Sequence, residues 1–449
     1  MKNEMDKNEL KKFLLHAPQK ELVDAVDDIH PADILDLLHD DENQYYIKTI
    51  LQRLPESIVA EIIDEAEDEE KFEILSKFSD SKQRKIVQEM SSDELTDLVG
   101  HLDEEQSKKI LEKMTQEEAE DVRQLLTYAP DTAGGIMATE FISIKENMTV
   151  KDTLEYLQTA APDAETAYYI YVLDNVGILK GVISLREIVI TSFDTKISEI
   201  MNTNVINVTF DTDQEQVGHM FEKYGLLTIP VVDYKDMMLG IVTVDDIMQI
   251  LRDETTEDIH RLAGIDEGEK VDGTIGQSVK SRLPWLYINL LTAILASATV
   301  SLFEGTISKV VILATFMPIV AGMGGNAGTQ TLTIIVRGIA LGELTFENAK
   351  RIFFKEIIVG ISTGAATGLA IAILAAIWAG KPIFGVVIGL AMILNMTAAT
   401  MAGYLVPVAL KKLRIDPALA SAVFVTTVTD VLGFFFFLGL ATLFLPYLM

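Results

Sequence analysis

Thr426-Thr427-Val428-Thr429-Asp430-Val431-Leu432-Gly433 sets one carboxylate inside a run of apolar and threonine residues long enough to belong to a membrane span. Even the lowest insertion scales put the cost of an acid at mid-bilayer at about 2.5 kcal/mol. Asp430 is therefore expected to face a water-filled path and a cation rather than lipid, and it reads as the one ionisable group set deep in any apolar span. Working outward, five runs approach the roughly 20 apolar residues that a crossing helix needs: residues 285–303, 310–336, 357–380, 383–410 and 418–448. An odd number of crossings puts the termini on opposite sides. Lys280, Arg282, Arg337, Lys350, Arg351, Lys355, Lys411, Lys412 and Arg414 share one side, against Lys309 and Lys381 on the other. By the positive-inside rule the basic side is cytoplasmic. The opening Met1-Lys2-Asn3-Glu4-Met5-Asp6 lacks the apolar core of a signal peptide, which agrees. The expectation is a multi-pass protein of the plasma (cell inner) membrane, amino terminus cytoplasmic and carboxyl terminus outside.

The second run contains Pro318-Ile319-Val320-Ala321-Gly322-Met323-Gly324-Gly325-Asn326-Ala327-Gly328-Thr329-Gln330, where four glycines and a proline are expected to break or kink the helix. Irregular backbone is tolerated at membrane depth where it lines a cavity. Freed carbonyls, with the Asn326 side chain, are then candidate hard-oxygen ligands for a cation or its water shell. Close helix packing through small residues is the competing reading of the glycines, and it fits Asn326 and Gln330 less well.

Composition divides the 449 residues near position 280. From Ser281 onward six acids and ten bases give a net charge of +4, so the preceding residues carry −34 of the total −30. Such an acidic half repels nucleic acid and anionic lipid, attracts cations, and swells by self-repulsion unless counterions bind. A solvated acidic face remains the plain alternative for most individual residues. The chain has no cysteine, which fits a reducing compartment.

Between residues 54 and 126 the sequence keeps a twelve-residue beat of Leu54, Ala66, Phe78, Met90, Leu102, Met114 and Leu126. Ser79, Ser91, Asp103, Thr115 and Thr127 follow the beat as expected helix N-caps. Each unit is one short helix that cannot bury its apolar face alone, so the units are expected to stack into a superhelical α-solenoid. Further on, two copies of one α+β unit align. Residues 167–174 lead to Leu179-Lys180-Gly181-Val182-Ile183-Ser184-Leu185-Arg186-Glu187, and Leu227-Thr228-Ile229-Pro230-Val231-Val232-Asp233 leads to Leu239-Gly240-Ile241-Val242-Thr243-Val244-Asp245-Asp246. This resembles a tandem of CBS domains, regulatory modules that often bind adenine nucleotides between the copies. By that resemblance Thr243 and Arg186 are candidate nucleotide contacts and ATP a candidate ligand, while helix capping accounts for the threonine equally well. Next comes Asp253-Glu254-Thr255-Thr256-Glu257-Asp258-Ile259-His260, which reads as helical and sets Glu254, Glu257 and Asp258 on one face. A divalent ion would relieve their repulsion; a solvated linker is the alternative.

Taken in order, the helical repeats, Tyr128-Ala129-Pro130-Asp131-Thr132-Ala133-Gly134-Gly135-Ile136-Met137, the CBS pair, the acidic connecting helix, Gly324-Gly325-Asn326 and Thr429-Asp430 resemble the MgtE family of magnesium channels over essentially the whole chain. The resemblance implies a homodimer in lipid with one pore between subunits, lined mainly by the second and fifth spans. Asp430, Asn326 and Gly325 would be the pore residues. It also implies that cytoplasmic Mg2+ bridges the solenoid, the CBS pair and a connecting "plug" helix and locks the pore shut. The matching residues are Asp246, Glu254, Glu257 and Asp258, with Asp93 and Asp97 in the solenoid. Gln249 and Gly225 stand where family members can carry sensor aspartates, and Leu226 and Glu187 depart from the nucleotide-contacting pattern. The expected division is a helical-repeat domain at 1–130, CBS domains at 131–200 and 201–251, plug helix and linker at 252–283, and a five-helix transmembrane domain at 284–449.

Other classes fit less well. An intramembrane aspartyl protease needs a second buried acid to share a proton, and no other span offers one. A nucleotide sensor without a pore leaves Asp430 unexplained. A carrier of Co2+ or Ni2+ would recruit histidine or thiolate, whereas the spans hold neither. Magnesium, a hard ion that gives up water reluctantly, suits carboxylate and carboxamide oxygens.

Overall fold

In the computed structural model the chain forms two compact units, Met1–Leu251 and Arg252–Met449. The structure describes residues 6–26, 29–39, 45–160, 164, 166, 168–266, 268–271, 273–345, 347–418 and 421–449. The amino-terminal residues 1–5, the start of the first CBS strand run at 167, and residues 419 and 420 of the last apolar run lie outside the described residues.

The first unit opens with ten short helices among the described residues: α1 (Lys7–His16), α2 (Gln19–Val26), α3 (Pro31–Leu38), α4 (Ile47–Arg53), α5 (Glu56–Asp64), α6 (Asp68–Ser76), α7 (Asp80–Val87), α8 (Ser92–Gly100), α9 (Glu104–Leu111) and α10 (Gln116–Leu125). None is long enough to persist alone in water. Each offers an apolar stripe, such as Leu95, Leu98 and Val99 on α8, and helices pack on their second neighbours, α3 on α5, α5 on α7, α6 on α8 and α8 on α10. One continuous core results, as the repeat predicts. On the beat, Leu54, Ala66, Phe78 and Met90 are buried and Leu102 and Met114 pack at the core's edge.

Ser91, Asp103 and Thr115 close capping boxes with Glu94, Gln106 and Glu118, and Ser79 occupies its N-cap without a side-chain bond. The last beat departs from expectation. Leu126 is 39% exposed, and Thr127 caps no helix but donates its hydroxyl to the Gln124 carbonyl at 2.7 Å. Pro130 bars the preceding residue from helical geometry, and the chain leaves instead toward a bridge between Thr132 and Asp213.

Two sheets follow with matching topology. Strands β1 (Ser143–Lys145), β2 (Tyr169–Leu173) and β3 (Leu179–Ser184) form one; β4 (Val208–Thr209), β5 (Thr228–Val232) and β6 (Met238–Thr243) form the other. In each the first pair is parallel, the second antiparallel, and the register slips at the same place, Val172/Leu173 and Val231/Val232. The aligned copies are thus real structural repeats. Helices α11 (Val150–Ala160), α12 (Leu185–Ile190), α13 (Ile197–Ile200) and α14 (Gln214–Tyr224) accompany them, and α15 (Val244–Ala263) follows β6. Between the copies, buried Tyr171 and Thr228 share a hydroxyl hydrogen bond of 2.7 Å.

The second unit is helical: α16 (Ile275–Ser301), α17 (Glu304–Lys309), α18 (Ile312–Ala340), α19 (Ala349–Ala379), α20 (Pro382–Lys412), α21 (Ser421–Leu443) and α22 (Leu445–Leu448). Four of these, α16, α19, α20 and α21, are long and apolar enough to cross a membrane. α18 has 29 residues but is not among the four, because its glycines, threonines and carboxamides dilute its hydropathy. α20 is the hub, packing on α18, α19 and α21.

Replacing Tyr171 by Phe leaves the Thr228 hydroxyl buried without its partner, an expected loss of about 1–2 kcal/mol in denaturant unfolding of the first unit. Adding Thr228→Val should recover part of that loss, the pattern a double-mutant cycle reads as direct coupling.

Candidate functional site

The break expected at Pro318–Gln330 does not occur. α18 runs as one helix from Ile312 to Ala340 with Pro318 inside it, so the carbonyls along Gly322–Gln330 stay in the helical ladder, and only the Ala314 carbonyl loses its partner to the missing Pro318 N–H. Inside an apolar slab the backbone has no water to bond to instead, which holds even a glycine-rich segment helical. The glycines divide into two kinds. A Cβ on Gly324 would lie 2.3 Å from Asn395 Nδ2, and one on Gly328 2.6 Å from Val425 Cγ1, so these two are close-packing positions. Gly322 and Gly325 face open space.

The open side of α18 is mixed, with a polar stretch at Asn326, Thr329, Gln330 and Thr333 interrupted by Ile334, which is 57% exposed. Pro318, Gly322, Asn326, Thr329, Gln330, Thr333 and Arg337 are exposed, whereas Val320, Gly324, Ala327, Gly328, Thr331, Leu332 and Ile335 are buried on the other side. A carboxamide placed in hydrocarbon without a partner costs about 4 kcal/mol or more, so a stripe holding Asn326 and Gln330 is no lipid face. Asp430 is half-buried on α21. It sits between Thr429, which meets Gly328, and Gly433, which meets the same Asn395 that covers Gly324. The carboxylate is therefore level with Gly324–Gly328 of α18.

Asp430 is not the only acid within the helical bundle. α19 begins at Ala349, ahead of the expected start at 357, and so includes Glu356, which is 3% exposed. Glu356 accepts a 3.0 Å hydrogen bond from Thr331 Oγ1 of α18, and Lys355 Nζ lies 3.1 Å from its other oxygen. The basic cluster at 350–355 had the look of a loop and hid it. Its partners are a hydroxyl and an ammonium rather than another acid, so it supplies no protease dyad.

In the first unit Asp93 and Asp246 come within electrostatic reach of each other. Asp93, at the start of α8, is buried and accepts from Ser91 Oγ at 2.5 Å and from the Glu94 amide at 3.0 Å. Burial, with the nearby charge of Glu140, holds its carboxyl above the usual range. Asp246 accepts from Thr243 Oγ1, and burial followed by the Asp93 charge pushes it up to about 7. Sequence reasoning missed Glu140 and Asp64, which also act on this group. Glu140 is tied down by Ser92 Oγ at 2.7 Å and the Thr139 amide at 2.9 Å. Asp97 points elsewhere, 4.0 Å from Lys71 Nζ.

In the second unit Glu254, Glu257 and Asp258 do share the half-buried face of α15, with Arg261 and Leu262 continuing it. Arg261 already pairs with Glu257 and with Asp416 from the loop after α20. Burial, then the charges of Asp416 and Glu254, raise Asp258 to about 6. Asp416 also accepts from the Ala418 amide at 2.7 Å, fixing the turn that leads into α21, and Leu262 packs against a cluster of Leu332, Val336, Ala418 and Val425. Among the described residues, no three His, Cys, Asp or Glu side chains are grouped so as to hold a metal directly.

A cleft of about 410 Å³ between the CBS copies is lined by Tyr168, Tyr169, Ser184, Leu185, Arg186, Val189, Ile190 and Leu227. Arg186 belongs to it. Thr243 is buried, engaged with Asp246, and is not part of that lining. Gly225 adopts φ 62° to close α14, a left-handed position at which glycine is favoured over aspartate.

A bundle of apolar helices with one polar face, joined to helical repeats and a CBS pair, defines a membrane transport protein carrying a regulatory unit. The chain matches the family model for the MgtE divalent cation transporter over residues 317–440, that for the MgtE intracellular N domain over 29–131, and the CBS domain over 133–192 and 197–253. Magnesium transporter MgtE of Enterococcus faecalis is 40% identical over 329 residues, which cover 73% of this chain and 72% of that one. Its counterpart from Thermus thermophilus is 39% identical over 327 residues, 72% of each. A solved structure described as the cytosolic domain of the Mg2+ channel MgtE in complex with ATP is 35% identical with a TM-score of 0.51, covering 55% of this chain and 100% of that one. The chain belongs to the MgtE family, a family of transporters and not of enzymes.

Because the fold raises the pKa of Asp246 to about 7 from an unfolded value near 4, ionisation opposes folding. In metal-free buffer the contribution of Asp246 to the stability of the first unit should be intact below about pH 4, decline as pH rises toward 7, and level off above. Asp246→Asn should flatten this profile and raise melting at pH 8 by about 5 °C, read by calorimetry.

Proposed function

We propose that this protein conducts Mg2+ across the plasma membrane through a pore formed by two copies of the chain, with α18 and α21 as its walls. The observation that carries the reading is the polar, uncovered face of α18 beside the half-buried Asp430 of α21. Such a face needs water or a second copy against it, and a twofold pairing answers both needs. α18 then serves as the second of five spans. Its side chains, rather than its backbone, meet the ion: Asn326 and two symmetry-related Asp430 carboxylates hold a hydrated cation through its water shell. The relatives named as magnesium transporters support Mg2+ as cargo. The chain has no cysteine and its bundle no histidine, so the oxygen-only donor set favours that hard ion over Co2+ or Ni2+.

Gating follows from the acidic clusters. Asp93 and Asp246, with Glu140 beside them, provide the oxygen donors that a cytoplasmic Mg2+ takes up while keeping several waters, which needs only one or two carboxylates. Asp97, paired with Lys71, is the weaker member of the proposed set. Glu254, Glu257 and Asp258 form the corresponding group on the plug helix, whose contacts through Arg261 and Leu262 reach the start of α21. Occupied clusters compact the cytoplasmic parts and close the pore; emptied ones repel and release it. The division proposed is 1–130, 131–200, 201–251, 252–283 and 284–449, with the amino terminus cytoplasmic and the carboxyl terminus outside. The cleft holding Arg186 is the proposed nucleotide site, supported by the ATP complex of the similar cytosolic domain.

Asp430→Ala is expected to abolish Mg2+ uptake in cells stripped of other importers; uptake at the wild-type rate would rule out the pore. Combining Glu254→Gln, Glu257→Gln and Asp258→Asn should leave patch currents flowing at internal Mg2+ levels that silence the wild type. Ordinary inhibition of that variant would remove these residues from the gate.

A further inference from the structure

We propose that Asn395 of α20 is a positioning residue that sets the spacing and rotation of α18 against α21, and through them the size of ion the protein admits. The proposal rests on the reading of α18 and α21 as pore walls, but Asn395 itself stands behind them, 0% exposed. Its Nδ2 donates to the Val320 carbonyl of α18 at 2.8 Å. A Cβ on Gly324 would come 2.3 Å from that same nitrogen, and a Cβ on Gly433 of α21 would come 2.8 Å from it. The carboxamide thus fills the space that two side chains would otherwise take, one on each wall. Gly324 directly precedes Gly325-Asn326, and Gly433 lies one turn past Asp430.

The other end of the carboxamide separates positioning from simple filling. Asn395 Oδ1 is buried and, among the described residues, is the one buried side-chain polar atom without a hydrogen-bond partner. Burying an unpaired acceptor disfavours the fold, whereas a leucine, branched in the same way though bulkier, leaves nothing unpaired. A residue retained for packing alone would be the apolar one. What the carboxamide adds is direction: the single bond to Val320 fixes how far α18 is turned about its axis, hence where Asn326 points relative to Asp430. One planar group, in contact with both walls, transmits any change in its own thickness or tilt to the gap between them. Discrimination between Mg2+ and the larger, more readily dehydrated Ca2+ depends on that gap.

The test uses the full-length protein in proteoliposomes, with Mg2+ and Ca2+ fluxes read by indicator dyes and melting followed in detergent. Asn395→Leu, which removes the unpaired acceptor but adds bulk, should still fold and melt within a few degrees of the wild type while its Mg2+ to Ca2+ flux ratio falls at least fivefold. Gly433→Ala, which pushes on the same carboxamide from the α21 side, should shift the ratio in the same direction with Asn395 intact. A wild-type ratio in a folded Asn395→Leu protein overturns the proposal. If that variant does not fold, an unchanged ratio in Gly433→Ala overturns it, and failure of both to fold marks the group as purely structural and overturns it as well. Asp430→Ala run alongside separates the two readings. Retained Mg2+ flux there sinks the pore itself; lost flux there, with a normal ratio in Asn395→Leu, sinks only the positioning role.

Discussion

Polar groups inside an apolar slab must be answered by other polar groups or by water, and the second unit is arranged around that demand. Glu356 is answered by Thr331 and Lys355, and the Asn395 amide by the Val320 carbonyl. Among the described residues no side-chain hydrogen bond answers Asn326, Gln330 or Asp430, and all three lie on or beside the open face of α18. Where the demand is met within the chain, helices close to the distance of a missing Cβ, as at Gly324 and Gly328. Where it is not met, the surface must be wet. The same helix therefore carries a dry seam and a wet one, and the tightness of the first holds the second in place.

The first unit faces the converse problem, an excess of one charge in a folded body. Asp93 lies within reach of both Glu140 and Asp246, and burial first, with these neighbouring charges second, raises the pKa of Asp93 and of Asp246. On α15 the same difficulty is met differently, because Arg261 stands between Glu257 and Asp416. A cluster neutralised by a guanidinium gains less from an added cation than one that is not. If the proposed gating holds, the two clusters should differ in their response to ion concentration, the first being governed by occupancy and the second by how α15 docks on the loop that starts α21.

Much of this organisation was legible in the sequence, for reasons that can be named. The twelve-residue beat and its caps are local signals, and they mark the helices until Pro130 ends the pattern and leaves Leu126 outside the core. The CBS copies were visible because matching strand pairs recur with matching turns. Besides Glu140 and Asp64, three things were not legible. Of the break or kink expected at Pro318–Gln330, the break does not occur: with little water to compete for backbone groups in an apolar bundle, the helix runs through the proline and the glycines. Glu356 was hidden by the lysines and arginine before it, which belong to the helix rather than to a loop. Asn395 sits in an apolar run where a lone carboxamide is easily passed over. Only the two glycines facing it, far apart in sequence, disclose its place.

The helical backbone of α18 through Gly322–Gln330 also narrows what kind of conduit the bundle can form. A filter built from unwound carbonyls strips an ion of its water and selects by the cage it offers in exchange. With the carbonyls retained in the helix, the available oxygens are few and belong to side chains, one carboxylate and a small number of carboxamides and hydroxyls per chain. So sparse a set cannot replace an octahedral water shell, and a cation held here keeps most of its water. Selection then depends on the width of a gap rather than on the number of ligands, and a gap selects only while its walls hold still. Glycine contacts at Gly324, Gly328 and Gly433, with a carboxamide clamped among them, are where that stillness originates. They lie on the packed side of α18, and in the proposed pore that is the side away from the ion.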